Sequence, residues 1–158
     1  MKQVVIIGLG KTGLSCVTYF RQRGITPLVL DTRENPPGKE LLPVDCNLIT
    51  GPLDPEILCS ASLIIASPGV ALATPALQAA QAAGVEIIGD IELFALETKN
   101  WKSKKIGITG SNGKTTVTTL IGYIARALGI NTLVAGNIGE PVLDSYLKIM
   151  QNKEQQPS

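Results

Sequence analysis

Val4-Val5-Ile6-Ile7-Gly8-Leu9-Gly10-Lys11-Thr12-Gly13 is the stretch whose reading decides the fold. Gln3–Ile7 has the β-branched, unbroken character of a strand buried on both faces. Gly8, Gly10 and Gly13 follow in a Gly-x-Gly-x-x-Gly pattern, and an amphipathic run from Leu14 to Arg23 closes on Gly24. Thr26–Leu30 reads as a second strand that ends on Asp31-Thr32-Arg33. This is a βαβ unit with an acidic residue roughly 20 positions beyond its glycines. Taken alone, the fingerprint leaves two readings. One is a dinucleotide site with Asp31 on the ribose hydroxyls; the other is a tight βα turn of any doubly wound domain.

Downstream, strands and helices alternate. Glu34–Pro43 reads as a loop and Cys46–Ile49 as a short strand. Asp54-Pro55 opens a helix with proline at its first position. Leu63–Ala66 is a buried strand ended by Ser67-Pro68-Gly69. Thr74-Pro75 opens an Ala- and Gln-rich helix through Ala83, which Gly84 stops. Val85–Ile88 is a strand, and Asp90 is expected to cap a helix running to about Thr98. The alternation predicts an α/β fold, a Rossmann-like parallel sheet covered on both faces.

A second glycine loop lies at Thr109-Gly110-Ser111-Asn112-Gly113-Lys114-Thr115-Thr116. It stands between a β-type run, Lys105–Ile108, and a helical run, Thr115–Leu128. Strand, glycine loop, Lys-Thr and helix is the layout of a phosphate cradle. Backbone N–H groups and the positive helix end would hold a polyphosphate. Lys114 would reach the terminal phosphates and the Thr115 hydroxyl would hold Mg²⁺. The full pattern has a further glycine where this chain has Ile108. A dehydrogenase has no use for a lysine-bearing triphosphate cradle. Jointly, the loops read better as one for a substrate diphosphate and one for ATP. Beyond the helix, Asn131–Ala135 is an expected strand, Gly136-Asn137-Ile138-Gly139 a tight turn and Glu140–Met150 a helix. Gln151–Ser158 reads as a frayed tail.

Composition removes several classes. Of 158 residues 44% are apolar, so the chain has enough material for a core. A net charge of +1 offers no electrostatic basis for nucleic acid or anionic membrane. No histidine is present, which excludes His-dependent nucleophile systems and His-containing zinc sites within this chain. Cys16, Cys46 and Cys59 are scattered and odd in number, as expected of reduced thiols in a cytoplasmic protein. No stretch of ~20 unbroken apolar residues occurs that would span a membrane.

Six motifs occur together and in order: Val5–Gly10, Asp31-Thr32-Arg33, Ala66–Val70, Gly89–Phe94, Ile108–Thr116 and Gly136–Gly139. Over roughly residues 1–147 the series closely resembles the N-terminal part of the D-glutamate-adding branch of the Mur ligase family. The shortened phosphate loop is also what that family looks like. The resemblance implies an ATP-dependent amide ligase of cytoplasmic peptidoglycan precursor synthesis. Such a ligase forms an acyl phosphate on UDP-N-acetylmuramoyl-L-alanine, which the amine of D-glutamate then attacks. It implies ATP binding by Gly110, Ser111, Asn112, Gly113, Lys114, Thr115 and Thr116, with Lys114 catalytic and Thr115 on Mg²⁺. It places the UDP-substrate on Lys11, Thr12, Asp31, Thr32, Arg33, Ser67, Pro68, Gly69 and, from the second domain, Asn137. Sibling ligases for other amino acids, and a non-catalytic nucleotide-binding module, are the competing readings.

The resulting domain expectation is a UDP-substrate domain over 1–98, a linker over 99–104, an incomplete ATP-binding domain over 105–150 and a tail over 151–158. Trp101 is expected to pack between the domains. The resemblance further implies that the D-glutamate site, the second acidic magnesium ligand and the remaining catalytic residues lie beyond this sequence. The polypeptide alone is therefore expected to lack ligase activity, and the full-length enzyme to be a monomer.

Overall fold

The computed structural model describes residues 3–137 and 139–154. Five parallel strands, β1 (Val4–Ile7), β2 (Leu28–Asp31), β3 (Leu48–Thr50), β4 (Leu63–Ala66) and β5 (Glu86–Ile88), form one sheet in the order β3-β2-β1-β4-β5. Helices α1 (Lys11–Gln22), α2 (Pro55–Ser60), α3 (Pro75–Ala82) and α4 (Asp90–Glu97) connect or follow them. The expected Rossmann-like α/β fold is present. β1 sits at the centre, with Val5 opposite Leu28 on one side and Ile64 on the other.

Alternation along β1 splits the core into two layers. Val5 and Ile7 join Leu30, Leu58, Ile64 and Leu77 beneath α2 and α3. Val4 and Ile6 join Val17, Phe20, Val29, Ile65 and Leu93 on the face of α1 and α4. Ile6, Leu58 and Ile64 are fully buried, and each such side chain stabilises the fold by about 1.5–3 kcal/mol. Gly13 makes the close packing of α1 on β1 possible. A Cβ there would stand 1.9 Å from the Gly8 carbonyl oxygen.

Element ends differ from the sequence reading in informative ways. The strand expected at Cys46–Ile49 forms at Leu48–Thr50, two residues later, where its backbone pairs with Val29–Asp31. Gly89, not Asp90, occupies the cap of α4, and Asp90 lies buried inside the first turn. Asp54 caps α2 as expected, accepting from the Glu56 N–H at 2.8 Å.

The region beyond residue 98 departs further. The helix after the second glycine loop forms as α5 (Lys114–Ala127), but Lys105–Ile108 and Asn131–Ala135 make no strands. Both have strand-like composition. A strand persists only when neighbours take up its N–H and C=O groups, and the described residues provide none for these two segments. Among the described residues one isolated bridge, Ala135 to Glu140, forms there. Ile106 and Leu133 are 69% and 51% exposed as a result.

The last helix, α6 (Val142–Glu154), instead packs back against α1 and α4. Its Val142, Leu143, Tyr146 and Leu147 are buried in the α1–α4 layer. The stretch read as the start of a frayed tail, Gln151–Glu154, continues this helix, while residues 155–158 and Ile138 of the expected turn lie outside the described residues.

Candidate functional site

A cleft of about 340 Å³ opens at the carboxyl ends of β1, β2 and β4. Between β1 and β4 the chain switches from one face of the sheet to the other, which leaves a crevice there in open parallel sheets. Its wall is Ile7, Gly8, Gly10, Lys11, Thr12, Asp31, Thr32, Arg33, Ser67, Gly69 and Val70. Seven of the residues singled out for the UDP-substrate are thus brought together from three separate segments. Pro68 and Asn137 do not line this wall.

Each wall segment is held by a specific contact. Asp31 is only 2% exposed and ends β2. Its Oδ2 accepts from the Leu9 N–H at 2.7 Å, pinning the glycine loop to the end of the next strand. Arg33 donates to the same carboxylate from its backbone N–H at 2.9 Å, from Nε at 2.8 Å and from a terminal nitrogen at 2.7 Å. The forked guanidinium, helped by the Leu9 and Arg33 N–H groups against the cost of burial, holds the Asp31 carboxyl down at about 2. Asp31 is therefore an ion whose acceptors are taken by the chain itself. Arg33, with 53% of its side chain exposed, presents the positive charge to the cleft. On the opposite wall the Ser67 hydroxyl donates to the Gly8 carbonyl at 3.2 Å. Lys11 and Thr12 begin α1, so unpaired N–H groups and the positive helix end face the same opening. Lys11, the helix N-terminus and the Ser67 hydroxyl suit a diphosphate, and the Arg33–Asp31 pair closes the wall beside them.

The second loop forms a separate, exposed turn. Gly113 caps α5 at φ +77°, a left-handed conformation that side chains other than glycine adopt at a cost. The Lys114 ammonium donates back to the carbonyls of Gly110 and Ser111, spanning the loop. Ser111, Asn112, Thr115 and Thr116 are exposed. Among the described residues no group of three His, Cys, Asp or Glu side chains stands ready for a metal. No helix among the described residues is long and apolar enough to cross a membrane.

The sequence reading missed a third cluster, where α6 meets the sheet domain. Arg23 donates to Glu97 at 2.7 Å and to the Tyr146 hydroxyl at 3.1 Å, and that hydroxyl donates to Glu97 at 3.0 Å. The Arg23 guanidinium lies 3.8 Å from the centre of the Tyr19 ring. Trp101 stacks on Tyr146 with ring centres 5.6 Å apart. Burial alone would raise the Glu97 carboxyl, but the hydroxyls of Tyr19 and Tyr146 and the Arg23 charge hold it below its ordinary value. Arg23 and Glu97 are 74 positions apart, so no local pattern could pair them.

Comparison with known proteins places the sheet in a family. Residues 2–89 match the family described as Mur ligase MurD-like, N-terminal domain. The chain is 58% identical over 142 residues to UDP-N-acetylmuramoylalanine–D-glutamate ligase of Escherichia coli (strain K12), covering 90% of this chain and 32% of that protein. The same figures hold for the enzyme of Salmonella typhimurium. The chain thus spans about a third of the length of these curated relatives. Among solved structures, a pseudomurein peptide ligase type C from Methanothermus fervidus is 25% identical with a TM-score of 0.51, over 82% of this chain and 27% of that one. UDP-N-acetylmuramate-alanine ligase MurC from Thermotoga maritima shares the fold, with a TM-score of 0.53 at 19% identity over 82% and 30% of the two chains. With a family match across more than half its length, the chain belongs to the MurD-like Mur ligases and carries their N-terminal domain.

Proposed function

We propose that this chain supplies the UDP-substrate cleft and the ATP loop of a ligase that joins D-glutamate to UDP-N-acetylmuramoyl-L-alanine in the cytoplasm. The observation that carries this reading is the cleft at the β1–β4 switch. It gathers Lys11, Thr12, Asp31, Thr32, Arg33, Ser67 and Gly69 in a chain 58% identical to enzymes of that name. Lys11, Thr12 and Ser67 hold the diphosphate. Thr32 and Arg33 face the uridine, and Asp31 fixes Arg33 and the glycine loop in place. Pro68 and Asn137 take part once the substrate extends out of the cleft.

ATP belongs on Gly110–Thr116. The residues suit it: a left-handed glycine opens a helix of 14 residues whose exposed first turn carries a lysine and two threonine hydroxyls. Lys114 would exchange its two loop carbonyls for phosphate oxygens. Mg²⁺, held in part by Thr115, would neutralise charge on the transferring phosphoryl group. The substrate's alanyl carboxylate would take the γ-phosphoryl group of ATP with release of ADP; the amine of D-glutamate would then attack the acyl carbonyl, losing a proton as phosphate departs. Positioning and charge neutralisation are the protein's part in that step.

Titration calorimetry of the folded chain with UDP-N-acetylmuramoyl-L-alanine tests the cleft. Saturable binding that weakens about tenfold in Lys11→Ala is expected, the loss of one charge-assisted contact. A folded chain with no affinity for this ligand would contradict the assignment.

A further inference from the structure

A shallow groove separates α1 from α6, lined by Lys11, Leu14, Ser15, Thr18, Pro141 and Asp144. Lys11 lines both this groove and the main cleft. The first turn of α6 therefore stands beside a cation of the cleft. What fixes that segment lies elsewhere along α6. Val142, Leu143, Tyr146 and Leu147 are buried against α1 and α4, and the Arg23–Glu97–Tyr146 cluster is the polar part of the contact. Glu97 is its hub, because one oxygen, Oε2, accepts from both Arg23 on the α1 side and Tyr146 on α6. Aromatic rings enclose the hub: Tyr19 and Tyr146 at 6.0 Å, Phe94 and Tyr146 at 6.4 Å, and Trp101 stacked outside. Partial burial strengthens such a charged hydrogen-bond set and gives it one preferred geometry.

We propose that Glu97 and Tyr146 are positioning residues for the cleft: they lock α6 onto the sheet domain, and so fix Pro141 and Asp144 beside Lys11. Glu97 acts at a distance, touching neither the cleft nor its ligand. The lock sets where the Lys11 ammonium stands for a diphosphate, and it ties the segment after the ATP loop to the UDP-substrate domain. This rests on the reading of the cleft given above.

Two measurements on the full chain test the lock. The first needs no ligand. Trp101 is the single tryptophan, and it stacks on the Tyr146 ring. In Glu97→Gln its emission should shift to the red and its quenching by acrylamide should rise several-fold, while far-ultraviolet circular dichroism stays unchanged. Tyr146→Phe, which keeps the ring, should show a smaller change. Emission and quenching in Glu97→Gln identical to those of the parent would overturn the lock.

The second is a double-mutant cycle on affinity for UDP-N-acetylmuramoyl-L-alanine. Glu97→Gln should weaken binding about fivefold, and this loss should vanish when Lys11→Ala is already present, as coupled sites require. A loss of equal size in both backgrounds, or none in either, would refute positioning through Lys11. Failure of the parent chain to bind at all would count against the cleft assignment, and the tryptophan measurement would still decide the lock.

Discussion

Helices α5 and α6 are nearly equal in length, 14 and 13 residues, and both are amphipathic, yet they meet opposite fates. α6 places Val142, Leu143, Tyr146 and Leu147 in the core. α5 buries only Gly122, and leaves Val117, Leu120, Tyr123 and Ile124 between 45% and 70% exposed. Apolar patterning does not by itself order a helix; a matching surface must be at hand. For α6 that surface is the gap between α1 and α4. For α5 it would be a sheet built from Lys105–Ile108 and Asn131–Ala135, and neither forms a strand. Four buried side chains contribute roughly 6–12 kcal/mol to docking α6 before conformational entropy is subtracted. α5 has little to offset its own ordering cost.

The sharpest way to break this contrast is to truncate one apolar residue in each helix. Leu143→Ala should cost about 2–5 kcal/mol of unfolding free energy by urea denaturation, since Leu143 is fully buried. Leu120→Ala, at a site 55% exposed, should change it by no more than about 0.5 kcal/mol. Similar costs would mean that α5 is packed after all. The bare stripe also predicts association. Sedimentation velocity should show self-association rising with concentration, and Leu120→Lys with Ile124→Lys should suppress it without lowering stability.

A smaller effect separates the ordered cleft from the bare loop by pH. The folded Asp31 carboxyl titrates near 2 against an ordinary 3.8, so its contribution is complete above the ordinary value and is lost as pH falls toward 2. The half-exposed Arg33 partner is screened, which leaves on the order of 1 kcal/mol. Asp31→Asn should flatten stability between about pH 4 and pH 2, where the parent chain loses it. An unchanged acid limb would show that Arg33 does not hold Asp31 as an ion.

The sheet domain was legible because its signals are local. Val4–Ile7, the glycine spacing and Asp31 sit close together in sequence, and each constrains the same turn. The cleft followed, since its wall residues end strands that neighbour one another in the sheet, β2, β1 and β4. Asp31 illustrates the limit of that reading: its position was clear, but its acceptors serve Leu9 and Arg33, which only the folded loop reveals. The segment beyond residue 98 was read less well for a physical reason. A strand at Lys105–Ile108 depends on partners absent from the described residues, whereas a helix such as α5 satisfies its own backbone. The docking of α6 depends on Arg23, Glu97 and Tyr146, three residues without any sequence periodicity between them.

Amide hydrogen exchange of the native chain probes the central contrast most directly. The account predicts that α6 amides exchange as slowly as those of β1, β2 and β4, while α5 amides exchange orders of magnitude faster. Equal protection of α5 and α6, or fast exchange in α6 beside a protected sheet, would contradict it.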